Sequence, residues 1–210
     1  ILIFIKIKKP EVRVQKLRPL SNILMQQTLI IAILAAAVGY SLMSFIMTAT
    51  PLQIVNICKL GNSASSTVIQ WHIIAMFAPS FFTGSIISRF GNRKVMLAGI
   101  ILYAFSVFFG ILGETVQNFW IALFLCGLGW NFLYVGGSDI IAKSALPEER
   151  AKVQGVTDFI IFVFVAMGSF LAGYLHSNLG WEIMLFYTTI PIVLIFIGII
   201  IIKPQNLKLN

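Results

Sequence analysis

Six apolar stretches, each long enough to cross a bilayer, divide this sequence: roughly residues 28–50, 67–89, 95–113, 118–141, 152–175 and 182–202, labelled A to F in order. A spanning helix needs about 20 predominantly apolar residues. In hydrocarbon, every backbone N–H and C=O of such a stretch must find its partner within the protein, which favours helices. The expected fold class is therefore an all-α integral membrane protein, a bundle of six transmembrane helices. Composition points the same way, with 59% hydrophobic and 10% charged residues in a 210-residue chain, against about 25% charged in an average soluble domain. So few charges could not solvate a water-soluble fold of this size.

The intervals between the stretches carry turn chemistry or charge: Cys58-Lys59-Leu60-Gly61-Asn62-Ser63, Phe90-Gly91-Asn92-Arg93-Lys94, Gly113-Glu114-Thr115, Leu146-Pro147-Glu148-Glu149-Arg150 and Ser177-Asn178-Leu179-Gly180. Their basic residues orient the bundle, because Lys- and Arg-rich loops stay in the cytoplasm. Lys6, Lys8, Lys9, Arg13, Lys16 and Arg18 precede A; Arg89, Arg93 and Lys94 lie between B and C; Lys143, Arg150 and Lys152 lie between D and E; Lys203 and Lys208 follow F. Only Lys59 falls on the other side, so fourteen of the fifteen basic residues share one face. An odd number of spans would scramble that alternation. The expectation is a multi-pass protein of the bacterial inner membrane with both ends cytoplasmic.

The net charge of +8 is thus a topological signal. The partners it implies are the lipid bilayer and its anionic headgroups, and no nucleic acid is expected. Residues 1–5, Ile-Leu-Ile-Phe-Ile, precede their basic residues, the reverse of a signal peptide. They read as the end of a preceding transmembrane helix, with a short interfacial anchor as the alternative. The organisation expected is then 1–5, the end of that helix; 6–27, a basic cytoplasmic linker; 28–203, the bundle; and 204–210, a cytoplasmic tail. Cys58 and Cys126 have neither metal-ligand spacing nor a disulfide framework around them, and no metal or cofactor is expected.

Polar groups at membrane depth tend to face a bundle interior or a water-filled cavity. Helices C and F carry few and are expected at the periphery. Helix A presents Tyr40, Ser44 and Thr48 at i, i+4 and i+8, on one face. Helix B offers Trp71, His72, Met76, Ser80 and Thr83, with Pro79 able to break it. Helix D holds Trp130, Asn131 and Tyr134 between glycines, and helix E holds Thr157, Asp158 and Ser169. The candidate cavity residues are Tyr40, Ser44, Trp71, His72, Met76, Trp130, Asn131 and Tyr134. Trp71 is open to an aromatic-belt role as well as to stacking on a solute, and His72 to packing as well as proton handling. Asp158 lies well inside its span and is the proton-coupling candidate; pairing with Lys152 or Lys143 is the other reading. Asp139 is expected to pair with Arg89 or Arg93. The polar helices fall as A and B, then D and E, a trace of the three-plus-three repeat found in secondary transporters.

At the inner end of helix B the sequence runs Gly84-Ser-Ile-Ile-Ser-Arg89-Phe-Gly91-Asn-Arg93-Lys94. This resembles the Gly-x-x-x-Asp/Ser-Arg-x-Gly-Arg-Arg/Lys loop of the major facilitator superfamily, between the second and third helices of each six-helix half. Ala145-Leu-Pro-Glu-Glu-Arg150-Ala-Lys-Val-Gln-Gly155 is similar to the loop before the penultimate helix of that superfamily. Gly127-Leu-Gly-Trp-Asn-Phe132 is similar to the tenth helix of bacterial drug-efflux-like members. The resemblance runs from about residue 20 to 203 and implies that A to F are helices seven to twelve, the C-terminal half of a twelve-helix fold. It implies that A, B, D and E border the central cavity and that the N-terminal six-helix half is the missing partner. Gly84, Arg89, Gly91, Arg93 and Lys94 would form the gating loop, with Gly84 permitting close helix approach and the basic residues meeting acids at neighbouring helix ends. Ser88 occupies the motif's acidic position, so the contact an aspartate would make there is not expected.

The function expected is secondary active transport of a small organic solute, proton-coupled, by alternating access. The alternative is a self-contained six-helix channel or a homodimeric small transporter. An intramembrane enzyme would need a paired set of acids, a metal site or an activated nucleophile at one depth. His72 is near the outer side of the membrane, Asp158 near the inner side and His176 at the outer end of helix E, and no such set occurs; the chain is not expected to be an enzyme.

Overall fold

The computed structural model describes residues 18–201. The expectations for residues 1–5, for the linker up to residue 17 and for the tail after 203 lie outside the described residues. A short α1 (Leu20–Leu24) leads into α2 (Gln27–Pro51), which continues as a π-helical turn, Leu52–Ile57. Then follow α3 (Asn62–Phe77), α4 (Ser80–Phe90), α5 (Asn92–Leu112), α6 (Val116–Ser144), α7 (Arg150–Leu179) and α8 (Trp181–Ile201). Five of the helical stretches are long and apolar enough to cross a membrane alone, and α3 with α4 makes a sixth when counted as one bent span. The chain is an all-α, multi-pass membrane protein.

The bend lies where the sequence put a breaker. Pro79 has no N–H to donate and its ring crowds the carbonyl four residues back, and α3 and α4 meet at 43°. Pro51 acts differently. Helix A was expected to end near residue 50, yet the helical path runs through Pro51 to Ile57 because the ladder widens. The Cys58 N–H reaches back five residues to the Gln53 carbonyl at 2.9 Å, which absorbs the register lost at the proline. Gly91 makes the sharp reversal between α4 and α5 with φ of 83°, a conformation that side chains with a Cβ rarely adopt. At the start of α6, Thr115 Oγ1 accepts the Asn118 N–H at 3.3 Å and caps the first turn.

Helix α6 forms the middle of the bundle, packed against α2, α3 and α5. Helix α2 lies between α6 and α7 and also touches α8, while α5 reaches α8 on the far side. The approach of α3 to α6 is closest at Gly127, where a Cβ would come within 2.7 Å of the His72 carbonyl oxygen. The core is built of Leu29, Leu42 and Ile46 from α2, Met96, Ile100 and Tyr103 from α5, and Leu123, Leu133 and Ile141 from α6. Each fully buried side chain of this size contributes about 1.5–3 kcal/mol relative to exposure in water. In a bilayer that contrast disappears, and close packing replaces it as the cohesive force.

Helix C, expected at the lipid-facing periphery because it looked plain, packs one face of α5 against α6 and α8 and leaves Ile101, Phe105, Phe108 and Leu112 exposed on the other. Its Tyr103 hydroxyl crosses the core to donate to the Gly39 carbonyl at 2.6 Å, and Ser106 donates to the Ala122 carbonyl at 2.7 Å. A plain helix buries well because nothing hinders its packing. Helix α7, with the polar stripe, rests mainly on α2 and leaves Phe159, Phe162, Met167, Phe170 and Tyr174 exposed.

Candidate functional site

Three of the expected cavity residues meet where α2 and α6 cross. Trp130 and Tyr134, one turn apart on α6, stack with ring centroids 5.1 Å apart and planes 8° from parallel. Tyr40 of α2 stands edge-on to both, at 5.2 Å and 5.4 Å. Phe162 of α7 and Phe77 of α3 extend the group, at 6.0 Å from Tyr40 and 5.8 Å from Trp130. Trp130 is buried, Tyr40 and Tyr134 are half-buried, and Phe77 and Phe162 are exposed. The result is an aromatic wall, with Trp130 behind and two phenols in front. Edge-on and offset ring pairs each add about 0.5–1.5 kcal/mol beyond burial and hold such a wall rigid.

Asp158 stands on α7 one turn before Phe162, and i, i+4 residues share a helix face. Its Oδ1 accepts from the Gln154 amide at 2.7 Å. Neither Lys152 nor Lys143 forms an ion pair with it among the described residues. Asp139 pairs with Lys143 and accepts from the Asn92 amide at 2.8 Å. That corrects the expected pairing with Arg89 or Arg93. The physical reason is spacing: Lys143 lies one turn on along the same helix face, where contact needs no second element.

The remaining candidates make contacts within the bundle or stand apart from the wall. Asn131 is fully buried and fully engaged: its Nδ2 donates to the Met76 carbonyl at 2.7 Å and to Ser80 Oγ at 2.6 Å, while Oδ1 accepts from Thr83 Oγ1 at 2.6 Å. It fastens α6 to both sides of the break at Pro79, and Met76 is buried beneath that contact. Ser44 Oγ meets Ser169 Oγ at 2.6 Å, and the neighbouring Ser41 donates to the Phe164 carbonyl at 2.8 Å. These hydroxyls bond across to α7 instead of to their own helix. His72 is buried with Nδ1 2.7 Å from the Leu123 carbonyl. A carbonyl only accepts, so Nδ1 carries the proton and Nε2 is left with no hydrogen-bond partner among the described residues. Trp71 is exposed and pairs edge-on with Trp120 at 5.8 Å. Trp120 lies ten residues before Trp130, about 15 Å along the helix, so Trp71 belongs to a separate aromatic group.

The loop motif is part turn, part clamp. Arg93 Nη2 donates to the Ile200 carbonyl in the last turn of α8 at 2.7 Å, where the helix dipole favours a cation. Arg89 lies over the Phe90 ring at 5.4 Å, Lys94 is exposed, and Ser88 bonds back to the Gly84 carbonyl at 3.0 Å. Gly84 has open space where a Cβ would stand. The close approach expected of it is absent among the described residues, because its side of α4 faces outward.

Two clusters were not anticipated. At the basic end, Arg18 binds Glu149 through its backbone N–H at 2.9 Å, its Nε at 3.2 Å and its Nη2 at 2.6 Å. Glu149 also accepts the Leu146 N–H at 3.0 Å. The Arg18 hydrogen bonds, with the backbone donors, hold the Glu149 carboxyl down at about 2. At the opposite end, Gln53 is buried in the π-helical turn, donates to Glu114 at 2.6 Å and faces His176 Nε2 at 2.9 Å. Both clusters join residues more than 60 positions apart, and spacing along the chain carries no signal for such pairs.

Comparison with known proteins now decides the family. The sequence profile of the Major Facilitator Superfamily matches residues 14–208. The chain belongs to the major facilitator superfamily. Among superfamily members, it is 41% identical over 192 residues to the riboflavin transporter RfnT of Brucella anthropi, covering 90% of this chain and 48% of the relative. It is 25% identical over 163 residues to the multidrug resistance protein MdtL of Escherichia coli, covering 74% of this chain and 41% of the relative. The chain spans about half the length of the curated relatives it matches. The relatives named here are a riboflavin transporter and a multidrug resistance protein.

Proposed function

We propose that this chain is the C-terminal six-helix half of a permease that moves a small, ring-bearing organic solute by alternating access, driven by protons. The observation that carries the reading is the aromatic wall of Tyr40, Trp130, Tyr134 and Phe162 with Asp158 one turn away on the same face of α7. Flat rings stack on such a wall, and a carboxylate at membrane depth is suited to exchange protons. The exposed aromatic faces of α7 and of α3–α4 are where the N-terminal six helices would pack, consistent with a chain about half as long as its relatives. In this reading Arg89, Arg93 and Lys94 lie on the cytoplasmic side with Arg18 and Glu149, and the Gln53 end faces outward from a bacterial inner membrane. Gly91 and Arg93 position the gating loop, and Arg93 ties it to α8.

Riboflavin is the first solute to test, because a relative of 41% identity is a riboflavin transporter. The complete gene product in proteoliposomes, given an inward proton gradient and labelled riboflavin, should accumulate it and lose accumulation with an uncoupler. Asp158→Asn should abolish the gradient-driven part while leaving exchange of solute across the membrane. Unchanged accumulation in that variant removes Asp158 from coupling. Failure to move any of a panel of planar heterocycles removes the solute class.

A further inference from the structure

At the end of the bundle away from Arg18, three elements that are distant in sequence are held by one side chain. Gln53 lies in the π-helical turn at the end of α2, Glu114 in the α5–α6 connection, and His176 in the last turn of α7. Gln53 is 3% exposed, yet each end of its amide is engaged. The Glu114 carboxylate only accepts, so the contact at 2.6 Å fixes the Gln53 NH₂ toward it. The same NH₂ group reaches the Cys58 sulfur at 3.6 Å. The Gln53 carbonyl oxygen therefore points at His176 Nε2, 2.9 Å away, and that nitrogen must carry a proton. One carboxylate thus dictates the amide orientation, and the amide dictates the histidine tautomer.

We propose that His176, Gln53 and Glu114 form a proton-operated latch that ties the ends of α2, α5–α6 and α7 together more firmly when His176 is charged. Neutral imidazole keeps the contact only in one of its two tautomers. In the other, two lone pairs face each other across 2.9 Å. The imidazolium always donates from Nε2, and the chain then runs from cation through amide to anion, with each bond charge-assisted and roughly twice as strong as a neutral one. Histidine is the side chain whose charge changes between pH 5 and 8. The π-helical turn supplies the compliance: such turns widen the ladder and recur at functional positions.

A cavity of about 350 Å³ opens beside the latch, lined by Gln53, Glu114, His176, Trp181 and Glu182. Glu182, at the start of α8, is a second carboxylate on the lining of that cavity. Burial pushes the Cys58 thiol up, and it stays neutral throughout this range. Lys59, next to Cys58, is exposed. Trp181 stands edge-on to the imidazole at 6.5 Å and brings no charge.

The test uses the complete gene product in lipid nanodiscs, with nitroxides attached through a keto amino acid at Asn56 and Asn178, so that Cys58 stays in place. Both positions are exposed and stand at the ends of α2 and α7. Pulsed electron paramagnetic resonance should show the inter-label distance distribution of the parent narrowing from pH 8 to pH 5.5. His176→Gln, whose amide donates at every pH, should be narrow at both. His176→Phe, with no donor, should be broad at both. A parent distribution that does not change with pH, or a His176→Gln variant that still narrows on acidification, overturns the latch.

Discussion

The two ends of this bundle are closed by different chemistry. At the basic end Arg18 and Glu149 meet as full charges, supported by backbone donors from Arg18 and Leu146. At the other end a buried amide carries the contact between an imidazole and a carboxylate. The first closure has no group that titrates near neutrality, since Glu149 is held at about 2. The second has a histidine at its centre. A permanent tie at one end and a titratable tie at the other let one end respond to pH while its counterpart stays put.

The largest effect should come from the permanent tie. Glu149→Gln strands a guanidinium among backbone dipoles. The expected loss is about 2–3 kcal/mol, below the ~3–5 kcal/mol of a fully buried pair because the Arg18 side chain is 39% exposed. Thermal melting of the complete protein in detergent reads this as a lower apparent Tm. The sign of the pH effect follows from the depressed carboxyl. Its contribution is fully present above the ordinary glutamate value of 4.5 and fades only as pH falls toward about 2. The gap between parent and variant should therefore be the same at pH 8 and pH 5.5, and a gap that closes between them would sink the assignment.

A smaller effect is expected from Gln53→Met, which keeps the volume and removes the hub. It should cost about 1–2 kcal/mol, and the cost should be greater at pH 5.5 than at pH 8. An equal cost at both would mean that the amide packs without transmitting charge. The smallest effect is His176→Gln, expected within about 0.5 kcal/mol of the parent at pH 8. Its signature is the lost pH response; a large drop in Tm at pH 8 would mean that the ring holds the bundle by packing.

The contrast between the ends also marks what the sequence discloses. The six spans were legible because hydropathy and length are local, and the break at Pro79 because a missing N–H is a property of one residue. Tyr40, Trp130 and Tyr134 were legible as candidates, since glycines flank the pair on α6 and a polar stripe marks α2, but their packing on one another was not. Asn131 was read as facing a solute, but the carbonyl and hydroxyls that occupy it come from the broken helix, which no spacing on α6 reports. Gln53 was hidden because helix A was expected to end near residue 50, and the π-helical turn that carries the helical path on to Ile57 leaves no periodic signal. Glu149 looked like one more loop acid, and its partner lies 131 positions earlier. The neighbours of α5 were not legible for a related reason. A helix without polar residues has nothing in its sequence to say which neighbour it will bury against.

Helix α2 finds its main partners in α6 and α7 and touches α3, its successor in the chain, only lightly. In time instead of space, that arrangement imposes a wait. Ser41 and the Phe164 carbonyl that it bonds are separated by 123 residues. At a synthesis rate of about 5–20 residues per second, α2 spends roughly 6–25 seconds in the membrane before α7 exists. Its sequence suits that interval. Ser41 and Ser44 can turn to their own helix carbonyls until α7 arrives, then exchange those bonds for it. The serines that stitch the finished bundle are, during its assembly, able to satisfy themselves within their own helix.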